Sequence, residues 1–544
     1  MAQADLRERR SGSAPLRNGG AGHAAGASEG QQHMGRRQPR LSGVRGLRAA
    51  RRSRAVHRHR RRDRSRTLHR QPHGGAARAP DLRRRARRAR RTRRGRDRGR
   101  QTLHRPYPAR RPRGRARSGP PVERNVAPGA DHRGSERCPG FADRFVHLRT
   151  GNPAADKPAL LAAVLADGTN LGLARMADAS RGLGYHHLVN VAQWHIGDDN
   201  YVAARAAIVN AHHKHPMAAI WDDGTTSSSD GQYFRAGGRA GAGGSVNAKY
   251  GIDPGAVLYT HVSGHYGPFY TRVISATMSE APYVLDGLHH HAHQTDLRIV
   301  EHHTDTAGAT DHVFGLCHLL GYRFAPRIKD LKDRKLYTVE KPGTWPLLVP
   351  LIGDTVETAA ILGQWTELMR LKASIETGAV VPSVILRKLA AAGAGNVLSR
   401  ALRALGRIER TLFTLQWLSD PALRQRSHAG LNKGEASNAL RRAVFFHRQG
   451  EIRDRTFENQ SFRASGLSLI TAAIVHWNTV YLDRAVRQLH AQGVAVPEDL
   501  LAHVAPLGWE HIGLTGDYVW TEANPAAPFR PLREVRSMFQ PLAA

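Results

Sequence analysis

Apolar positions are spread unevenly along this chain. Up to about residue 140 large apolar side chains are sparse and follow neither a 3.6-residue nor a 2-residue period. Nothing there offsets the entropy of ordering a backbone, so the segment is expected to be disordered. From about Phe141 the pattern becomes that of a folded protein. Ala154 to Leu165 and Asp198 to His212 read as helices. In the second, Tyr201, Ala204, Ile208 and His212 recur at helical spacing behind Asp198 and Asp199, either of which can cap it. Met217 to Trp221 is a short apolar run and the candidate first strand. Val257 to Val262 and Phe269 to Ile274 predict two strands, and the Ser-Gly-His-Tyr-Gly-Pro between them is a hairpin signal. Glu280 to Leu288 reads as a helix. Asp296 to Asp305 reads as a strand, with Leu297, Ile299 and Glu301 alternating against Arg298, Val300 and His302. Thr310 to Leu320 carries Val313, Leu316, Cys317 and Leu320 on one helical face, and Arg323 to Ile328 is a further strand. A helical block runs from Thr355 to Leu418, and its clearest member shows Leu398, Leu402, Leu405, Leu412 and Leu415 on one face. Asp420-Pro421 starts another helix by the N-cap and N1 rule, and Glu435 to Phe446 and Leu467 to Leu489 follow as helices.

The order strand, hairpin, helix, strand, helix, strand implies an α/β fold. It is the order of an RNase H-like domain: antiparallel strands first, then parallel strands with crossover helices. The expected organisation has five parts. Residues 1–140 form an arginine-rich low-complexity segment, and 141–216 a helical lead-in. Residues 217–345 form the RNase H-like core, 346–430 a mainly helical insertion domain, and 431–544 the closing helices.

Charge follows the same division. The formal net charge is +37, but residues 1–150 hold 43 Arg, no Lys and 10 acids, while residues 151–544 hold 29 Arg, 10 Lys and 35 acids. The basic excess therefore belongs to the first quarter. One reading is a nucleic-acid arm that binds phosphate by releasing counterions. The other, favoured because lysine is missing, is GC-rich DNA translated out of frame. No run approaches the ~20 apolar residues that span a bilayer, and no apolar signal core opens the chain. Only Cys138 and Cys317 are present, which excludes a disulfide framework and a cysteine zinc site. A soluble, cytoplasmic protein is expected, with no membrane partner.

Phosphoryl chemistry on such a fold needs carboxylates gathered at one end of the sheet, because hard divalent cations prefer oxygen and two of them can clamp an in-line displacement. The best candidates are Asp230, in the small-residue run Asp223-Gly-Thr-Thr-Ser-Ser-Ser-Asp230, Asp305 at the end of a strand, and Glu435 on a late helix. Each has an ordinary alternative. Asp230 could be a solvated turn residue, with Asp222 or Asp223 in its place. Asp305 could be a helix cap, a role open also to Thr310 and Asp311. Glu435 could simply favour a helix dipole, and spacing does not choose it over Glu409. The His289, His290, His291 and His293 cluster has the composition of a metal site, but no acid lies close by in sequence and a solvated surface is favoured. His302 and His303 closely precede Asp305 and could support it.

Residues from about Phe141 to Trp520 resemble the catalytic C-terminal region of the Tn3-family transposases. The resemblance runs through Arg149-Thr-Gly151, Trp221 to Gln232, Tyr266 to Thr277, His302 to Asp330, Leu431 to Glu435, Arg442 to Ser465 and Leu507 to Trp520. It implies a DDE triad of Asp230, Asp305 and Glu435 that is both catalytic and metal-binding, with two Mg2+ ions for which Mn2+ can substitute. It also implies cleavage at transposon ends to free a 3′-hydroxyl, attack of that hydroxyl on target DNA, and replicative transposition by a homodimer in a bacterial cytoplasm. Arg327, Lys329 and Lys332 near Asp305, and Lys433, Asn438, Arg441 and Arg442 around Glu435, become candidates for DNA contact, with a solvated basic face as the alternative. Nothing before residue 141 resembles the family's end-binding region. A truncated or frameshifted copy is therefore expected, impaired in end recognition. Two other expectations stay open, a DNA-binding remnant without catalysis and a metal-dependent nuclease of the same fold.

Overall fold

The computed structural model describes residues 140–520, apart from 238–244, 394 and 455. The arginine-rich segment falls before these residues, so its expected disorder concerns positions outside the described part. Four helices come first: α1 (Lys157–Gly168), α2 (Leu173–Asp178), α3 (Tyr185–His195) and α4 (Asp198–His213). Asp156 caps α1 by accepting the Ala159 N–H at 2.9 Å, with Pro158 in the first turn where a missing N–H costs nothing. Then come β1 (Thr226–Arg235), β2 (Ser245–Val246), β3 (Pro254–Ser263), β4 (Pro268–Ser275), α5 (Val284–Gln294), β5 (Glu301–His303), α6 (Asp311–Leu319) and β6 (Arg323–Phe324). A small parallel pair, β7 (Leu336–Thr338) and β8 (Ile352–Thr355), precedes the helices α7 (Thr358–Gly363), α8 (Trp365–Glu376), α9 (Pro382–Ala391) and α10 (Val397–Ser419). The described chain closes with α11 (Pro421–Val444), α12 (Phe457–Ala491) and α13 (Glu498–Leu501).

The main sheet has the order β2-β3-β1-β5-β6, and β4 pairs with β3 along Ala256 to Val262. The β2–β3, β3–β1 and β3–β4 pairs are antiparallel, whereas β1–β5 and β5–β6 are parallel. Parallel neighbours need crossover connections, and α5 and α6 supply them. The alternation of a pleated strand sorts the side chains to two layers. On β3, Ala256 and Leu258 join Phe234, Val273, Leu440, Val444, Leu467 and Ile474 beneath α11 and α12. Val257 and Tyr259 face the other way, into the larger cluster that holds Ile274, Leu285, Leu288 and Phe314.

The sequence expectations need three corrections. Residues Pro216–Ile220 form a 3-10 turn rather than a strand, because Pro216 starts it and the His215 ring accepts the Met217 N–H. The first strand is instead the polar run Thr226–Arg235, buried on both faces through Ser227, Ser228, Ser229, Gln232 and Phe234. The strands expected over 296–305 and 323–328 are regular only at Glu301–His303 and Arg323–Phe324. On α10, Leu402 and Leu405 are buried as expected, but Leu412 and Leu415 are exposed, and Phe413 and Trp417 are buried in their place. Beyond Gly406 the contact is set by Phe314 on α6, which lies against Phe413, so the buried stripe rotates towards the aromatic residues.

Candidate active site

The site forms where β1 and β5 run side by side. Their parallel register pairs Ser227 with His302 and Ser228 with His303. Continuing it by two residues sets Asp305, just past the end of β5, beside Asp230 in the middle of β1. A carboxylate at the C-terminal end of a parallel strand, next to a buried neighbour, is a usual position for chemistry in an α/β sheet. Asp305 Oδ1 accepts the N–H groups of Ala307 at 3.0 Å and Gly308 at 3.3 Å, so the acid also caps the turn that follows it. The backbone of Arg327 brackets this turn: its N–H reaches the Thr304 carbonyl at 2.9 Å, and its carbonyl accepts from the Thr306 hydroxyl at 2.9 Å.

Asp230 is held from two sides. Its Oδ1 accepts the Gly231 N–H at 2.8 Å, and its Oδ2 accepts from Asn438 Nδ2 at 2.7 Å. The second bond comes from α11, where Gly434 faces β1 with room for no more than a small side chain. A Cβ there would sit 3.4 Å from Ser228 Oγ and 4.0 Å from the Asp230 Cβ. Gln232 then donates to the Asn438 carbonyl at 2.9 Å, and Arg441 Nη1 donates to Asn438 Oδ1 at 3.0 Å. Arg441 is only 1% exposed, and its Nε and Nη2 meet no acceptor among the described residues. Burial lowers the guanidinium to about 10, an effect the Asp230 charge partly opposes. Burial raises the Asp230 pKa, and the Asp305 charge adds to that rise, while the Gly231 N–H, Asn438 and Arg441 pull the other way.

Glu435 follows Gly434 on the same helix, one turn before Asn438, and is exposed. Asn438 thus binds Asp230 and not Glu435. The acids that sequence left as alternatives are engaged elsewhere. Asp222 takes the Gly224 N–H and the Thr226 hydroxyl, and Asp223 takes the Thr225 N–H and hydroxyl. Asp311 pairs with Arg407 and Arg410, and Glu409 with His318 at 3.1 Å. Among the described residues no three His, Cys, Asp or Glu side chains already converge as the ligands of one ion.

The basic candidates divide by exposure. Lys329, Lys332 and Arg442 are exposed, and Arg327 and Asn438 half-buried. Lys433 points inward: its ammonium donates to the carbonyls of Trp221 at 3.0 Å and Gly264 at 2.7 Å and lies over the Tyr266 ring. It ties α11 to the turn before β1 and the turn after β3, which lie side by side at one end of that antiparallel pair. His302 is fully buried, its two ring nitrogens meeting Ser227 Oγ at 2.8 Å and Ser229 Oγ at 2.9 Å. His303 meets the Ala325 carbonyl at 3.2 Å and faces Glu301. Both histidines therefore set the packing of β5 against its neighbours. Of the histidine run, His289 and His290 are half-buried on α5, and His290 lies against Tyr270. The side chains of 291–293 are outside the described residues.

The model of the Tn3 transposase DDE domain matches residues 135–518. The chain belongs to the Tn3 transposase family. Its matched part is similar to the transposase for transposon Tn501 of Pseudomonas aeruginosa, at 56% identity over 72% of this chain and 40% of that protein. It is similar also to the transposase for transposon Tn21 of Escherichia coli, at 53% over 73% of this chain and 40% of the relative. The transposase for transposon Tn1546 of Enterococcus faecium matches at 45% over 70% of this chain and 38% of its own length. The chain thus spans about 40% of the length of these Tn3-family relatives. Gln232, in the sequence only one position of a polar run, joins this arrangement through its bond to the Asn438 carbonyl, which only the tertiary structure shows.

Proposed function

We propose that this chain carries the DNA cleavage and strand-transfer chemistry of replicative transposition on an RNase H-like core, at a centre made by Asp230, Asp305 and Glu435. The observation that carries the reading is the juxtaposition of β1 and β5 in parallel register, with the Gly434–Asn438 turn of α11 laid over Asp230. In this reading the three acids come from β1, the end of β5 and α11, and the bond from Asn438 to Asp230 supports bringing the last element to the first.

The donor set suits a divalent cation. All three side chains offer hard oxygen, and burial and then the Asp305 charge raise the Asp230 pKa, a cost that a bound cation would relieve. Mg2+, with Mn2+ as substitute, would be held by Asp230, Asp305 and Glu435, and a pair of ions supplies charge stabilisation to the attacking and leaving oxygens of an in-line displacement. The chain's own residues do the positioning. Gly231 and Asn438 fix both oxygens of Asp230, Arg441 fixes Asn438, and the Ala307 and Gly308 N–H groups fix Asp305. Residues around the acids then meet DNA. Lys329, Lys332 and Arg442 are free to reach phosphate, Arg327 stands at the Asp305 turn, and Arg441 and Lys433 act through the fold. Two copies acting on paired transposon ends in a bacterial cytoplasm fit this chemistry. Among the described residues no helix is long and apolar enough to cross a membrane.

The test supplies a precleaved transposon end with a free 3′-hydroxyl, a target duplex and Mg2+. Joining of the end to the target is expected, with loss of at least ~1000-fold in Asp230→Asn, Asp305→Asn and Glu435→Gln. Hydrolysis without joining would make the protein a nuclease. Retained joining in any one variant would remove that residue from the triad.

A further inference from the structure

Between α11 and α12 the chain makes a tight turn, and three of the five non-glycine residues with positive φ among the described residues meet there. Arg448 and Gln449 stand side by side in the left-handed region, at φ 53° and 55°, and Asn170 has φ 63°. The Asn170 amide spans the turn, donating to the His447 carbonyl at 3.1 Å and the Glu451 carbonyl at 2.8 Å. The turn is tied to the end of β1 as well. The Ile452 N–H reaches the Arg235 carbonyl at 2.8 Å, and the Gly237 N–H reaches the Ile452 carbonyl at 2.7 Å. Glycine takes a left-handed conformation freely, and Gly450 does so at the next position. At 448 and 449 the chain instead bears that conformation with two long polar side chains, both exposed. Backbone strain held in place by its surroundings is common at ligand clamps.

The side chains that border the turn are basic. Burial first, and then the charges of Arg175, Arg448, Arg453 and Arg463, hold the His447 ring below its ordinary value, so four guanidinium groups act on one ring. Two of the four are engaged. Arg463 binds Asp454 at 3.0 Å and Asp167 at 3.1 Å, and also donates to the Ala166 carbonyl at 2.7 Å. Arg453 lies 3.7 Å from Glu451. These pairs fix the frame. Arg175, on α2, and Arg448 are exposed, and neither pairs with an acid among the described residues. Phosphate matches such groups, because a planar guanidinium donates to two of its oxygens at once. A turn already held rigid also gives up little conformational freedom when it binds. Along β1 the turn stands five residues beyond Asp230, at Arg235, which is about 17 Å at the rise of a strand. One turn of duplex DNA is longer than that, at ~34 Å.

We propose that the Arg448–Gln449 turn, with Arg175 beside it, is a clamp for the phosphate backbone of the DNA on which the centre acts. The inference rests on the DNA-directed reading of that centre. It goes beyond it in assigning a contact apart from the acids and the residues around them.

The test modifies the arginines of the full chain with phenylglyoxal and follows each residue by mass spectrometry, alone, with a DNA duplex, and with inorganic phosphate at the same phosphate concentration. The duplex is expected to slow modification of Arg175 and Arg448 several-fold, and inorganic phosphate to leave both rates unchanged. Protection of the arginines before residue 140, with Arg175 and Arg448 still reacting at their free rates, overturns the clamp and leaves the protein a DNA binder. Equal protection by inorganic phosphate makes the turn a site for the free anion and overturns DNA as its occupant. No protection at any arginine overturns the DNA-directed reading itself. A second measurement separates contact from folding. Arg448→Gly relieves the left-handed backbone, so it should melt no lower than wild type, while the slope of log affinity against log salt becomes shallower by about 0.9 for the one phosphate lost. The arginine-rich segment is common to both proteins, so the difference belongs to residue 448. A slope equal to that of wild type would show that Arg448 makes no phosphate contact.

Discussion

Asp230 has a constrained carboxylate because every group that touches it is itself fixed. One oxygen is held by its neighbour's N–H, and the other by an amide that a buried arginine orients. Groups that orient a ligating carboxylate typically carry 10- to 100-fold in metal affinity or activity. Asn438→Ala is therefore expected to lower strand-transfer kcat by about that factor while leaving the melting temperature within a few degrees. Arg441→Met should give a similar loss of activity, and the double variant little more than either single one, because the two act in series on one carboxylate. The Arg441 change should not unfold the protein, since a buried guanidinium with two unpartnered nitrogens costs desolvation that a methionine does not. Additive losses in the double variant would contradict a serial arrangement.

Helix α11 carries Glu435, the proposed third acid, and the Asn438 that binds Asp230, and its features are local in sequence. Asp420 accepts the Ala422 and Leu423 N–H groups at 2.8 and 3.1 Å, with Pro421 in the first helical position. Asp420→Ala should cost about 1 kcal/mol of stability, measured by denaturant unfolding, with little change in metal affinity. Gly434 is sensitive in the opposite way. A methyl group meets only ordinary contact with Ser228 and Asp230, so Gly434→Ala should stay active. Gly434→Leu should push α11 off β1 and abolish strand transfer in a chain that still melts cooperatively. Equal activity in both variants would show that close approach of the helix is unimportant. Capping and proline signals of this kind made α11 legible in the sequence, although the structure joins the segment before Glu435 into one helix running from Pro421 to Val444. The hairpin and the crossover helices were legible for the same reason, from period and punctuation. β1 was not. Its Thr-Ser-Ser-Ser-Asp-Gly-Gln run has turn composition, and it is a strand because β3 and β5 pair with it on both edges and the Ser hydroxyls find Tyr259 and His302. The three acids and Asn438 stand out in the sequence as candidates, the acids joined into a triad only by resemblance, whereas the bond from Asn438 to Asp230 emerges only from the tertiary structure.

Across the whole described body, stability depends on a buried set of histidines where α4, the β3–β4 hairpin and α12 meet. His212 lies 6.0 Å from His265 and 5.9 Å from His476 between ring centroids, and His213 lies 5.3 Å from His265. His215 lies 6.4 Å from His476, with Asp483 at 3.9 Å, while His265 meets the Asp222 carbonyl and senses the charges of Asp222 and Lys433. Burial, reinforced by His215, pushes His476 down to about 4, and burial holds His212 well below 6.5 and lowers His265. Burial thus favours the neutral rings of His212, His265 and His476 in the folded chain, whereas in the unfolded chain these histidines take up protons from about pH 6.5 downward. Their contribution to stability is present above that pH and is lost as the pH falls from about 6.5 through 4. The melting temperature should accordingly drop between pH 7.5 and 5, and His476→Gln should flatten the drop. A melting temperature independent of pH over that range would contradict the buried neutral cluster.

The proposed centre requires that carboxylates from β1, the end of β5 and α11 surround a common cation. Iron(II) in place of magnesium, with ascorbate and peroxide, cuts a polypeptide chain next to the residues that hold the metal. Mapping of the fragments should show cuts clustered at Asp230, Asp305 and Glu435, suppressed by excess Mg2+. Cuts confined to other places, or clustered cuts that Mg2+ does not suppress, would contradict a shared metal centre.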